Sequence, residues 1–451
     1  MKKLTILAVL LILGMVINGC ASAPKEQTVA NQPIKSVTAI TEVFGDGQKV
    51  SAVVLEYDKA IDTSKLKTSD FAVEGKTVTK VYANTAVAKA SQGINGQYVI
   101  VELSTAITPD TMMKGNSAGQ ENNTGNGAGN AAQESSQNAN PPQRSGGPQL
   151  GSAATDSAES KPLTVNVTQS GNIITANGQT YKADTRVKTN SKNINLVVED
   201  FKQLVHTDPN HNNEKLMYNL YVPKNYDPSK RYPLVLFMHD AGVVSNNPTN
   251  TLTQGLGAII WATPSEQAKN ECFVVAPQYT TVIADDSSET TEQMDITVNL
   301  IKELENQYSI DTNRIYNTGQ SMGGMTSIAM DIKYPDMFAA SLLVACQWDA
   351  SKVTLMAKDN LWIIVSEGDN KAKPGMDAIT ETLKAKGATV SKATWSAESS
   401  ASEFTRNVNA MLAEGCNINY VIFNGGSHRY TWQYAYTIEG VRDWLFKQVK
   451  E

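Results

Sequence analysis

From Ile34 to Leu103 apolar and polar positions alternate along the chain. In SAVVLEY, Val53, Leu55 and Tyr57 fall on one face of an extended backbone, and in QYVIVEL, Val99, Val101 and Leu103 do the same. A period of two marks strands with one buried face. Clusters such as FGDGQ punctuate these runs, and the pattern returns at LTVNVTQSGNIITANGQTY, where Asn177 and Gly178 suit a two-residue hairpin turn. It continues to about His206, so residues 34–206 read as a small β-sandwich. Within that span, residues 114–161 hold no aromatic residue and one large aliphatic, Leu150. Such a stretch buries too little apolar surface to offset chain entropy, and it is expected to be a disordered insert that interrupts the sandwich.

The second half has a different pattern. YPLVLFMHDAG, CFVVAPQY, RIYNTGQS, AASLLVAC, LWIIVSEGD and INYVIFNGG are apolar runs without alternation, as befits strands buried on both faces of a mainly parallel sheet. Between them, residues 291–308 place Ile296, Leu300, Ile301, Leu304 and Tyr308 at helical spacing, and residues 434–449 do so with Ile438, Val441, Trp444 and Leu445. Residues 207–451 therefore predict an α/β fold with helices on both faces of its sheet.

Composition narrows the function. The chain has 451 residues, 41% hydrophobic and 19% charged, with a net charge of −6. An acidic balance argues against nucleic acid, whose phosphates call for basic surfaces. Four histidines, no two of them at helical ligand spacing with a carboxylate, and cysteines at Cys272, Cys346 and Cys416 that match no zinc pattern give no support for a metal, and no cofactor is expected. At the N-terminus, Lys2 and Lys3 precede an apolar run from Leu4 to Ile17, and INGC ends in Cys20. Residues 1–20 resemble a bacterial lipoprotein signal peptide, cleaved before a cysteine that is lipidated; an apolar run of roughly 14 residues is short of the ~20 needed to span a bilayer. The mature protein is then expected on the extracellular face of a bacterial membrane, held by acyl chains on Cys20.

Candidate chemistry centres on RIYNTGQSMGGM. Gly319, Ser321 and Gly323 form GxSxG between a short strand and a helix expected to start at Met322, the context of a nucleophile elbow. A serine needs a base, itself oriented by a carboxylate. Asp369 follows the run LWIIVSEG and His428 follows YVIFNGGS, giving the order Ser, Asp, His. His428 is the one histidine after Ser321; His206 and His211 lie in the polar HTDPNHNN and are assigned to a solvated loop. Glu367 and Asp377 compete with Asp369 for the acid, Asp377 reading as a polar helix position. The oxyanion donors are expected to be the N–H of Met322 and, from the loop after LVLFM, that of Ala241. Gln320, Trp348 and Trp432 could line an acyl or alcohol pocket, core packing being the competing use of the tryptophans. Arg314 and Asp311 are expected to brace the elbow.

With these residues in place, YNLYVPKNYDPSKRYPLVLFMHDAG, APQY and YSIDTNRIYNTGQSMGGM resemble the secreted α/β-hydrolase esterases related to poly(3-hydroxybutyrate) depolymerases and feruloyl esterases, some called predicted peptidases. EVFGDGQKVSAVVLEYDKAIDTSKLKTSDFAVEG is similar to the immunoglobulin-like domain that precedes the catalytic domain in some of these esterases. The resemblance implies a cofactor-free Ser-His-Asp carboxylesterase acting on small or plant-derived esters. One position departs from it: the family loop reads HGxG, and here Asp240 replaces the first glycine. Its carboxylate must point away from the oxyanion, or it would oppose the charge being stabilised. Two other functions stay open on the sequence: a serine peptidase of related fold, and a non-catalytic surface lipoprotein whose sandwich binds a glycan or partner. Self-association through the sandwich is open too.

Overall fold

The computed structural model describes residues 33–107, 109, 148–153 and 162–450. The expected signal peptide with Cys20, and most of residues 114–161, lie outside them.

The N-terminal domain is two facing sheets. A five-stranded sheet runs in the order Lys192–Asn195, Ile34–Phe44, Gly47–Ile61, Gly96–Leu103 and Val78–Asn84; a three-stranded one contains Phe71–Val73, Asn166–Gln169 and Asp184–Thr189. Alternation fills the space between them: Val53, Leu55, Tyr57, Val99 and Val101 of the first sheet meet Phe71, Val73 and Val167 of the second. The turn at Asn177–Gly178 forms between Ile173–Ile174 and Thr180–Tyr181, with Gly178 at φ 84° as a hairpin turn requires.

This sandwich ends earlier than residue 206. The strand Lys202–Asp208 (β1) pairs antiparallel with Glu214–Tyr221 (β2) and belongs to the second domain. As an exposed edge strand it lacks the uninterrupted apolar run of this domain's buried strands, which is why sequence alone assigns it to the sandwich.

The second domain is built on a nine-stranded sheet. After β1 and β2 come β3 (Tyr232–Met238), β4 (Phe273–Gln278), β5 (Ile310–Gln320), β6 (Ala340–Val344), β7 (Leu361–Ser366), β8 (Val390–Trp395) and β9 (Ile418–Phe423). The spatial order is β1-β2-β4-β3-β5-β6-β7-β9-β8, with β2 antiparallel to both neighbours and the rest parallel. Successive side chains of one strand feed two cores. Leu234, Leu236 and Met238 join helices α1 (Gln293–Gln307), α2 (Met322–Lys333) and α3 (Ala372–Ala385), whereas Val235 and Phe237 join α4 (Ala401–Leu412), α5 (His428–Ala435) and α6 (Glu439–Lys447). This is the α/β-hydrolase arrangement that the sequence predicts.

Two details differ from the sequence reading. The helix expected over residues 434–449 is two, α5 and α6. The Thr437 hydroxyl and N–H both bond the Tyr434 carbonyl, and Ile438 takes an extended backbone (φ −78°, ψ 99°), breaking the helical ladder between them. Second, residues 148–153 are held by the α/β domain. The Gly151 N–H donates to the Val282 carbonyl at 2.8 Å and the Val282 N–H to the Ser152 carbonyl at 2.9 Å, with Ala153 bridged to Thr281. This part of the insert expected to be disordered is fastened to the α/β domain.

The two domains also share a core: Val43, Val198 and Phe201 pack into the cluster that holds α4, α5 and α6. At the tip of the first hairpin, a Cβ on Gly45 would lie 1.9 Å from the Gln433 carbonyl oxygen, so only glycine lets the hairpin seat against α5.

Candidate active site

The elbow forms where β5 passes into α2. Ser321 sits between them at φ 53°, ψ −118°, a conformation L-residues rarely hold, and its N–H donates to the Val344 carbonyl of β6 at 3.0 Å. The flanking glycines are needed for close approach: a Cβ on Gly319 would lie 2.3 Å from the Gly323 carbonyl carbon, and one on Gly323 1.9 Å from the Met238 carbonyl oxygen. The turn therefore lifts the hydroxyl off the sheet and presses α2 against the end of β3.

His428 is the first residue of α5, capped by the Ser427 hydroxyl, and Asp369 follows β7. β9, which precedes α5, runs beside β7 in the sheet, so the two strand ends are neighbours. The result is a relay: His428 Nε2 lies 2.9 Å from Ser321 Oγ, and His428 Nδ1 lies 2.5 Å from Asp369 Oδ2. Asp369 is only 3% exposed. Burial alone would raise its carboxyl, but the bond to His428 and the N–H groups of Ala372 (2.9 Å) and Lys371 (3.1 Å) outweigh it and hold the group below its usual range. An ionised acid then fixes the histidine with Nδ1 protonated and Nε2 facing the serine. Glu367 and Asp377 are engaged elsewhere: Glu367 accepts from the Gly425 N–H, and Asp377 pairs with Lys373 and Lys392.

Two backbone N–H groups stand at the starts of elements that meet at the elbow: Met322 opens α2, and Ala241 opens the short turn after β3, whose Asp240 bonds Gln320. The loop that carries Ala241 is locked from below. His239 Nδ1–H donates to the Asp240 carbonyl at 2.7 Å, and its Nε2 accepts the Tyr279 N–H at 3.0 Å, a pattern that requires the neutral ring. Complete burial, which lowers the pKa of His239, favours the same state. Both oxygens of the Asp240 carboxylate are engaged, one by the Gly242 N–H and the other by Gln320.

The pocket residues divide. Trp348 and Met325 line a cavity of about 310 Å³ beside the elbow, with Gln347, Asp286, Ser287, Ser288 and Asp349 on its rim. Gln320 does not line it: it is 1% exposed and its amide is spent on Asp240 and Gln254. Trp432 stacks edge-on against His428, ring centres 5.0 Å apart, and is otherwise buried, so it supports the histidine and leaves the pocket wall to others. Arg314 donates to the Phe446 carbonyl at 3.0 Å and Asp311 bonds the Asn313 N–H, which ties the start of β5 to α6 and leaves the elbow unbraced by either. His206 is a buried strand residue bonded to Glu303, and His211 is bonded to Asp208; neither is in a free solvated loop. Sequence reading missed the Ser366–Thr431 hydroxyl pair (2.7 Å), which ties α5 to β7, and the Gln254 contact. No local motif marks either, since both pairs meet only through the fold.

Comparison with known proteins matches both domains to described families. Residues 36–182 match the family described as Esterase Ig-like N-terminal domain, and residues 210–434 match the family described as "Putative esterase". A crystal structure of a thermostable esterase aligns over 92% of this chain and 100% of its own, with TM-score 0.69 and 25% identity. The feruloyl esterase module from Clostridium thermocellum, an S954A mutant complexed with sinapinate, aligns over 56% of this chain and 89% of its own, with TM-score 0.41 and 17% identity. No curated protein matches the chain.

Proposed function

From an esterase that joins an immunoglobulin-like N-terminal domain to an α/β-hydrolase domain, we propose a serine carboxylesterase that cleaves small or plant-derived esters through an acyl-enzyme on Ser321. The observation that carries the reading is His428, within hydrogen-bond reach of Ser321 on one side and of the buried Asp369 on the other.

His428 takes the Ser321 proton as the hydroxyl attacks the ester carbonyl, and Asp369 stabilises the imidazolium so formed. The N–H groups of Met322 and Ala241 receive the oxyanion, and His428 then protonates the departing alcohol. Water repeats the sequence on the acyl-enzyme, returning the proton to Ser321. The cavity beside Trp348 and Met325 seats part of the substrate.

The test is labelling by a fluorophosphonate followed by turnover of p-nitrophenyl esters, feruloyl esters and peptides. Wild type is expected to carry the adduct on Ser321 and to hydrolyse esters, and Ser321→Ala to do neither. An unlabelled wild type would favour the non-catalytic reading, and preference for peptides would make the chain a peptidase. The same reading puts the enzyme on the outer face of the membrane through lipid on Cys20. A fatty-acid analogue fed to expressing cells should label wild type and leave Cys20→Ala unlabelled.

A further inference from the structure

Asp240, the residue that departs from the expected HGxG loop, is bonded on both sides of its carboxylate. Oδ1 accepts the Gly242 N–H at 2.8 Å, shaping the turn that carries Ala241. Oδ2 accepts from Gln320 Nε2 at 3.0 Å, and the same amide nitrogen gives its second proton to Gln254 Oε1 at 3.0 Å. Gln320 is the last residue of β5 and precedes Ser321 directly. One buried amide therefore joins the loop after β3, the residue before the elbow, and the short helix Asn250–Thr253 that Gln254 follows.

The two oxyanion donors of the proposed mechanism lie on separate elements, Met322 on α2 and Ala241 on the loop. Their separation decides whether both reach an oxygen 2.7–3.1 Å away. A displacement of about 1 Å can cost on the order of a hundredfold in rate. We infer that Asp240 is a positioning residue: its bond to Gln320 latches the loop to the elbow and fixes the Ala241 N–H relative to that of Met322. A glycine at this place could shape the loop but could not hold it. With both oxygens taken, the carboxylate is also a poor partner for a cationic substrate.

This inference rests on the proposed Ser321 mechanism, and the experiment separates the two. Steady-state hydrolysis of p-nitrophenyl acetate by the full chain is measured for wild type, D240A, Q320A, the double variant D240A/Q320A, and D240N. Inhibition by a trifluoromethyl ketone, which forms a tetrahedral adduct with a serine, and thermal unfolding are measured in parallel. D240A and Q320A are each expected to lower kcat about 30- to 100-fold with KM within about threefold, and to weaken the ketone by a similar factor. The double variant should be no worse than either single one, because one bond is removed twice. D240N should recover to within about fivefold of wild type: its carbonyl still serves Gly242, Gln320 can reverse its amide to accept from the new NH₂, and Gln254 can reverse in turn to donate to Gln320, giving up its long 3.4 Å bond to the Thr251 carbonyl.

A kcat for D240A at or above wild type overturns the inference, as do losses that multiply in the double variant or that track loss of folded protein. Should D240A not fold, Q320A cuts the same bond from the other side and decides alone. Wild-type turnover that survives Ser321→Ala overturns the mechanism and this inference with it. Wild-type turnover lost in Ser321→Ala but unchanged in Q320A overturns the latch only.

Discussion

At the scale of single residues, the site is made of groups held where a free chain would not keep them. The Ser321 backbone occupies a region that costs about 1–3 kcal/mol, and the fold sustains it by crowding on both sides. Gly323→Ala should therefore drive the Met238 carbonyl and the loop behind it away. A drop of at least about tenfold in kcat, with a lower melting temperature, is the expected outcome of kinetics and calorimetry on that variant. Asp369→Asn keeps the size but loses the charge that fixes the His428 tautomer, and kcat should fall on the order of 10³- to 10⁴-fold. The sign of the Asp369 shift adds a pH expectation. Its folded pKa is depressed, so its contribution to stability is whole above the unfolded value near 4 and is lost as pH falls through the folded one. No inflection from Asp369 should then appear in a pH–rate profile above about pH 4. That Ser321, Asp369 and His428 would meet was legible in the sequence because each follows an apolar run that reads as a strand. Gln320 was misread as a pocket residue because its partners, Asp240 and Gln254, come 80 and 66 positions earlier and meet it only in the fold.

At the scale of elements, α5 matters most. It is an eight-residue helix with His428 at its start, and two contacts hold it from outside: Thr431 to Ser366 of β7, and the Gly45 hairpin tip against Gln433; Trp432 of the same helix packs edge-on against the imidazole. The hairpin comes from the other domain. Gly45→Val should push α5 along its seat and separate His428 from Ser321, lowering kcat/KM about tenfold or more while fluorophosphonate labelling slows in parallel. Turnover unchanged in that variant would show that α5 is held without the hairpin. Most elements could be read from pattern, since six of the buried strands are uninterrupted apolar runs. Those that escaped have weak patterns for physical reasons. β1 and β8 are edge strands with exposed positions, and the break between α5 and α6 is set by a threonine hydroxyl competing for a carbonyl, which leaves the apolar spacing intact.

At the scale of the molecule, a group of carboxylates at the far end of α2 sets a pH dependence. Asp331, at the end of α2, is buried and held well above the usual carboxylate range by that burial and by Asp359; burial and Asp336 push Asp359 up to about 7. Because these folded values exceed the unfolded ones, the contribution to stability is complete below about pH 4 and is lost as pH rises through about 7. Asp359→Asn should therefore match wild type in acid and exceed it by about 1–2 kcal/mol at pH 8, as denaturant unfolding at the two pH values would reveal.

The fastening at Gly151 and Ser152 has a further consequence for the chain as a connected object. Residues 108–147 join two places that are each fastened independently, the strand Gly96–Leu103 in the sandwich and the Val282 loop beside the active site. Strands from before this stretch pair with strands from after it, Phe71–Val73 with Asn166–Gln169 and Ile34–Phe44 with Lys192–Asn195. Pairing across this stretch should hold the two parts without the peptide connection: residues 33–107 and 148–450 co-expressed as separate chains should copurify and hydrolyse ester until denaturant separates them.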